Sequence, residues 1–156
     1  TGENTLTGGR LARVNNFIND TFCFTYGDGL ADINLNELIN SHKQSKKKAT
    51  LSAVKPPGRF GSLEFERGKV INFQEKPKGD GSWINGGFFV LEPSVIDLIS
   101  GDLCTWEQEP LQKLAKDGQL NAYHHYGFWQ PMDTLRDKNF LNELWESNKA
   151  PWKIWI

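Results

Sequence analysis

What most constrains this chain is an alternation. Short aromatic and β-branched runs, each stopped by glycine or proline, trade places with stretches whose apolar residues recur at helical spacing. Thr21-Phe22-Cys23-Phe24-Thr25-Tyr26 predicts a buried strand stopped by Gly27-Asp28-Gly29. Ala49 to Val54 predicts a second, closed by Pro56-Pro57-Gly58, and Trp83 to Leu91 a third that Gly86-Gly87 interrupts. Leu120 to Tyr126 predicts a further strand. Among these lie helices. Leu11, Val14, Phe17 and Ile18 mark one after Gly8 and Gly9, and Asp32 caps another that buries Ile33, Leu35, Leu38 and Ile39. Pro93 opens a short helix over Val95 to Ile99, and Thr105-x-x-Gln108 is a capping box for one running to Lys116. Thr134-x-x-Asp137 starts the last, with Leu135, Phe140, Leu141, Leu144 and Trp145 as its apolar stripe. Ser62 to Glu66 and Lys69 to Glu75, joined by Arg67-Gly68, form a hairpin. Residues 1–156 thus read as one α/β unit with a small antiparallel insertion.

Composition narrows the function. With 18 Lys and Arg against 19 Asp and Glu, the net charge is −1, which argues against a nucleic-acid binder living on phosphate contacts. No apolar run reaches the ~18 residues of a membrane helix, so the expectation is a soluble cytoplasmic protein. Cys23 and Cys104 fit no CxxC spacing, and Cys23, within an apolar run, is expected as a buried free thiol. Along a strand, His124 and His125 point to opposite faces, which disfavours a shared metal. No P-loop, GxGxxG or GxSxG occurs, so Ser/His/Asp catalysis has no anchor.

Four places could carry chemistry. Asp28, flanked by Gly27 and Gly29, ends a strand where ligands bind in open α/β sheets, although Asp-Gly also serves as an ordinary turn. Glu75-Lys76-Pro77 sets an acid beside a base: a point charge for phosphate and an acceptor for hydroxyls, or a solvated pair at a turn. Asn85-Gly86-Gly87 marks a bulge or a close backbone approach. Asp133 precedes a helix start, where it is either a ligand or a neighbour of the cap.

Taken together, six stretches resemble the sugar-phosphate nucleotidylyltransferases, from about Thr7 to Trp155. They are Thr7-Gly8-Gly9-Arg10, Tyr26-Gly27-Asp28-Gly29, Pro57-Gly58-Arg59-Phe60-Gly61, Phe73-Gln74-Glu75-Lys76-Pro77, Ile84-Asn85-Gly86-Gly87-Phe88-Phe89 and Phe128-Trp129-Gln130-Pro131-Met132-Asp133-Thr134. Within the family they resemble the branch that transfers a cytidylyl group from CTP to glucose 1-phosphate, releasing pyrophosphate. The resemblance implies a Rossmann-like nucleotide-diphospho-sugar transferase fold lacking its N-terminal strands. The family's GGxGTR triphosphate loop does not occur here, so these residues correspond to the C-terminal, sugar-phosphate side of the enzyme. By themselves they are expected to be inactive and to self-associate.

The implied roles fall on matching positions. Asp28 and Asp133 would hold Mg²⁺, Lys76 would face the sugar phosphate, and Glu75, Asn85 and Gly86 the glucose hydroxyls. Gly8, Gly9 and Arg10 would border the nucleotide. CTP and glucose 1-phosphate are the implied substrates, in a homo-oligomer that supplies sugars for surface polysaccharide. The alternatives are a non-catalytic sugar-phosphate-binding subunit, or a relative using another nucleotide or sugar 1-phosphate.

Overall fold

The computed structural model describes residues 1–56, 58, 62–74 and 82–155. A central four-stranded sheet carries β1 (Phe22–Thr25), β3 (Ala49–Val54), β6 (Ile84–Leu91) and β7 (Leu120–His125) in the order β1-β6-β3-β7. β1 pairs antiparallel with β6, Phe24 opposite Phe89. Two further strands, β2 (Gly29–Ala31) and β8 (Trp129–Pro131), form a separate antiparallel ribbon. The hairpin insertion is β4 (Ser62–Glu66) and β5 (Lys69–Gln74). Its turn residues Arg67 and Gly68 both have positive φ, the backbone that two-residue hairpin loops require. Among the described residues there are also four α-helices, α1 (Thr7–Arg13), α2 (Leu35–Ser45), α3 (Glu109–Lys116) and α4 (Leu135–Glu146), and the short helix expected after Pro93 is a 3-10 helix, Pro93–Leu98. By internal packing the chain divides into two compact units.

The first unit comprises Thr1–Thr25, Asn34–Ser52 and Gly87–Tyr123. Its core is aromatic. Trp106 is wholly buried and meets Phe24 and Phe89 edge-on, at ring separations of 6.3 and 6.1 Å. Leu38, Ala49, Val90, Leu91, Val95 and Leu114 fill the remainder. α1 packs closely on the segment before Trp106, and glycine is what permits it. A Cβ on Gly8 would stand 2.8 Å from the Cys104 carbonyl oxygen, and one on Gly9 2.6 Å from Asp102 Cα. Thr7 joins the two segments, accepting from the Trp106 N–H at 2.9 Å and donating to Glu107 at 2.7 Å.

Several expectations are corrected in this unit. α1 runs through the glycines and stops at Arg13; Asn15–Phe17 is a 3-10 turn, which leaves Phe17 84% exposed. Cys23 is exposed because β1 is an edge strand whose residues alternate in burial, while Cys104 is the buried thiol. Asn34 caps α2, its side chain accepting from the Glu37 N–H, and the displaced start leaves Leu35 exposed. Thr105 and Gln108 make no capping box: Pro110 sets the start of α3, and residues 105–108 form a turn that buries Trp106.

The second unit comprises Tyr26–Ile33, Ala53–Gly86 and His124–Ile156. Here α4 starts at Thr134 as expected, and the start is a capping box, Thr134 and Asp137 bonded reciprocally. Of its expected stripe Leu141 is buried, whereas Leu135, Phe140 and Trp145 are exposed. Near the C-terminus Trp152 is buried with its ring 5.4 Å from Phe128, while Trp155 remains exposed beside Trp145.

Candidate functional site

The second unit brings four of the nine candidate residues, Asp28, Asp133, Asn85 and Gly86, to the β2–β8 ribbon. Its register sets Gly29 opposite Pro131, Leu30 opposite Gln130 and Ala31 opposite Trp129. One step beyond that ladder the Asp28 carbonyl accepts the Met132 N–H at 2.8 Å. Asp28 and Asp133 therefore leave the ribbon at the same end, and both are exposed.

Asn85 and Gly86 reach the same ribbon from β6. The Trp129 indole N–H donates to the Gly86 carbonyl at 2.8 Å, and a Cβ on Gly29 would lie 3.9 Å from that oxygen. Asn85 donates through Nδ2 to the Tyr26 hydroxyl at 3.1 Å. The close approach expected of Asn85-Gly86-Gly87 is present, but β6 is continuous through it; Gly87 takes a φ of +79°, which a side chain would resist. Glu75 and Lys76 lie outside the described residues.

Gly8, Gly9 and Arg10 belong to the first unit. The N–H groups of Gly8 and Gly9 both donate to the Cys104 carbonyl, at 3.0 and 3.2 Å. Arg10 donates to the Thr1 hydroxyl at 2.8 Å.

Sequence reasoning missed four residues around the ribbon: Tyr26, Trp129, Asp32 and His125. Tyr26 and Trp129 stood inside the quoted motifs without a role. Asp32 does not cap α2 as expected; its Oδ1 accepts the Phe128 N–H at 2.7 Å and lies 2.9 Å from His125 Nε2. His125 is buried and His124 exposed, as alternation along β7 requires. A cavity of about 480 Å³ opens beside this turn, lined by Lys55, His125, Tyr126, Phe128, Trp129 and Phe140 among others.

The two aspartates suit a particular kind of cation. Among the described residues no cluster of three or more His, Cys, Asp or Glu side chains could hold a metal. An all-protein cage is thus not built there. A pair of carboxylates is instead the donor set Mg²⁺ takes when substrate phosphates complete its shell. No helix among the described residues is long and apolar enough to cross a membrane.

An α/β sheet, a ribbon that presents two carboxylates, and a glycine backbone laid against it define a protein class that comparison identifies. The chain belongs to the nucleotidyl transferase family, whose model matches residues 4–134. Among its relatives, the glucose-1-phosphate cytidylyltransferase of Salmonella typhi is 62% identical over 157 aligned positions, covering 99% of this chain. The probable glucose-1-phosphate cytidylyltransferase of Bacillus subtilis is 46% identical over the same share. The chain spans 61% of the length of each. A mannose-1-phosphate guanylyltransferase catalytic subunit beta of Xenopus tropicalis is 32% identical over 88% of the chain and 40% of that relative.

Solved structures share the fold. HddC from Yersinia pseudotuberculosis superposes with a TM-score of 0.69 at 21% identity, over 93% of this chain and 64% of its own. A putative glucose-1-phosphate thymidylyltransferase from Bacillus anthracis gives 0.66 at 19% identity, over 92% of this chain and 62% of its own.

Proposed function

We propose that this chain forms the sugar-phosphate and metal-binding part of an enzyme that transfers a cytidylyl group from CTP to glucose 1-phosphate. The observation that carries the reading is the ribbon register, which delivers Asp28 and Asp133 to one end beside Asn85 and Gly86. The 62% identity to a relative of that name supports the choice of nucleotide and sugar.

In this reading an oxygen of glucose 1-phosphate attacks the α-phosphorus of CTP. The new P–O bond forms as the bond to the β-phosphate breaks, and pyrophosphate leaves. No protein nucleophile is required. Asp28 and Asp133 would hold Mg²⁺, which when bound neutralises phosphate charge and favours departure of pyrophosphate. Asn85, aligned by Tyr26, and the backbone at Gly86 orient the sugar hydroxyls. Glu75 accepts from the sugar, and Lys76 offers a point charge to its phosphate. Gly8, Gly9 and Arg10 border the nucleotide.

Pyrophosphate release by the complete enzyme, with CTP, UTP, dTTP or GTP offered alongside glucose 1-phosphate or mannose 1-phosphate, tests this. CTP with glucose 1-phosphate is the expected pair. Preference for another pair would make the chain a relative of different specificity, and binding of glucose 1-phosphate without turnover would make it a binding subunit.

The assembly is proposed to be a homo-oligomer working in the cytoplasm. Support for the first comes from the hairpin, where Leu63, Phe65, Val70, Ile71 and Phe73 are all exposed. Two free thiols suit a reducing compartment.

A further inference from the structure

The β2–β8 ribbon is three residue pairs long. A two-stranded ribbon is marginally stable on its own, and three pairs give it little to fix its register. Register nonetheless decides what Asp28 and Asp133 can do together. A slip of one residue moves one strand past the other by roughly 3.4 Å and turns its side chains to the opposite face.

Something at the far end holds the ribbon in place. Just past β2 the Asp32 N–H donates to the Phe128 carbonyl at 3.2 Å, and Asp32 Oδ1 takes the Phe128 N–H in return at 2.7 Å. His125 Nε2 stands 2.9 Å from that Oδ1 and 3.1 Å from the Phe128 carbonyl oxygen. Both partners are acceptors, so Nε2 carries the hydrogen and is shared between them. The ring is buried, 9% exposed. Gly127 closes the turn over this group, and a Cβ there would sit 2.8 Å from His125 Cε1. One carboxylate thus takes a backbone N–H of β8's approach and a ring N–H of β7, next to its own strand.

We infer that Asp32, steadied by His125, is the positioning residue for the Asp28–Asp133 pair: it pins the ribbon's register at one end so that the two carboxylates meet at the other. This rests on the two-aspartate reading proposed above. Asp32 sits at the opposite end of the ribbon from Asp28 and Asp133. Its effect travels through three residue pairs to the Met132 N–H and from there to Asp133.

Met132, the one methionine within these 156 residues, offers a site-specific probe. In the complete enzyme labelled with ¹⁵N-methionine, the amide signal that disappears in Met132→Leu is that of the N–H bonded to the Asp28 carbonyl next to Asp133. Its hydrogen-exchange rate reports register without metal, and its broadening by Mn²⁺ reports the site. Asp32→Ala should speed exchange of this amide at least tenfold and raise the Mn²⁺ midpoint by roughly 10–100-fold, as losing a ligand's supporting partner does. Asp32→Asn keeps an acceptor oxygen for the Phe128 N–H and should restore most of both. His125→Gln leaves Asp32 in place and should shift both readouts in the same direction by a smaller factor, which keeps the test alive if Asp32→Ala does not fold.

Wild-type exchange and broadening in Asp32→Ala, or in His125→Gln should the first unfold, overturn the inference. Asp28→Asn separates it from the reading beneath. If Asp28→Asn abolishes Mn²⁺ broadening while Asp32→Ala leaves it intact, the metal reading stands and the positioning role falls. If Asp28→Asn leaves broadening unchanged, the metal reading falls and takes this inference with it.

Discussion

The two units are stabilised by different means. In the first, a wholly buried tryptophan meets two phenylalanines, and glycines let α1 lie against the chain that carries that tryptophan. In the second, the short strands of the ribbon carry directed side-chain hydrogen bonds as well as their own ladder: Trp129 on Gly86, Asp32 on Phe128, Gln130 on Asp137 at 3.1 Å. Apolar burial is non-directional and sums over area, so it makes a framework. Hydrogen bonds are directional and net only about 1 kcal/mol each, so they fix where a side chain points without adding much stability. The candidate carboxylates stand in the part of the molecule where direction is set by such bonds. Substitutions in the two units should differ accordingly.

The largest effect belongs to the first unit. Trp106→Ala should cost about 3–5 kcal/mol, the range for emptying a large aromatic site, read as a fall in the midpoint of denaturant unfolding. A loss under 1 kcal/mol would mean that this core does not hold the unit together. The corresponding change in the second unit is smaller. Thr134→Ala removes the α4 cap and the hydroxyl bond to Asp137 Oδ2, while Asp137 Oδ1 accepts from Gln130 of β8. It should cost about 1 kcal/mol. An effect as large as that of Trp106→Ala would erase the contrast between the units.

Two titrations sharpen the picture of the first unit's polar margin. The His42 imidazole, bonded to Glu92 at 2.9 Å, and then the Thr21 hydroxyl hold the Glu92 carboxyl below the usual carboxylate range. A depressed carboxylate contributes stability above its unfolded pKa and loses it as pH falls through its folded one. Glu92→Gln should therefore flatten the acid limb of the stability curve and leave the neutral region less stable. Tyr123 behaves in the opposite sense. Burial, and then the Glu37 carboxylate bonded to its hydroxyl at 2.7 Å, push it up to about 12. The unfolded tyrosine ionises near 10, so its contribution is whole below that pH and drains away as pH rises from about 10 to about 12. Absorbance near 295 nm should show a late transition that is lost in Tyr123→Phe, and Glu37→Gln should bring it earlier.

How much of this was legible follows from what each signal measures. β3, the hairpin and the start of α4 came straight from local pattern, because short strand runs, turn residues and helix starts are decided within a few residues. β2 and β8 escaped notice, since three residues are too few to show a period. Asp32 looked like a cap because Asp before an apolar helical run usually is one. Its real partner lies 96 residues away, and Asn34, two places on, took the cap instead. Motif resemblance singles out Asp28 and Asp133 one at a time. Their arrival at one ribbon end is not legible there, because register between distant segments has no local signature.

In the function proposed above, this ribbon end organises the metal-assisted transfer, apart from what stabilises the fold. Pyrophosphate release from CTP and glucose 1-phosphate by the complete enzyme, followed across Mg²⁺ concentration in wild type, Asp28→Asn and Asp133→Asn, tests it most directly. Each variant should lose on the order of 10²-fold or more in rate while its unfolding midpoint stays within about 0.5 kcal/mol of wild type. Near-normal turnover in either variant, with an unchanged Mg²⁺ requirement, would contradict the account.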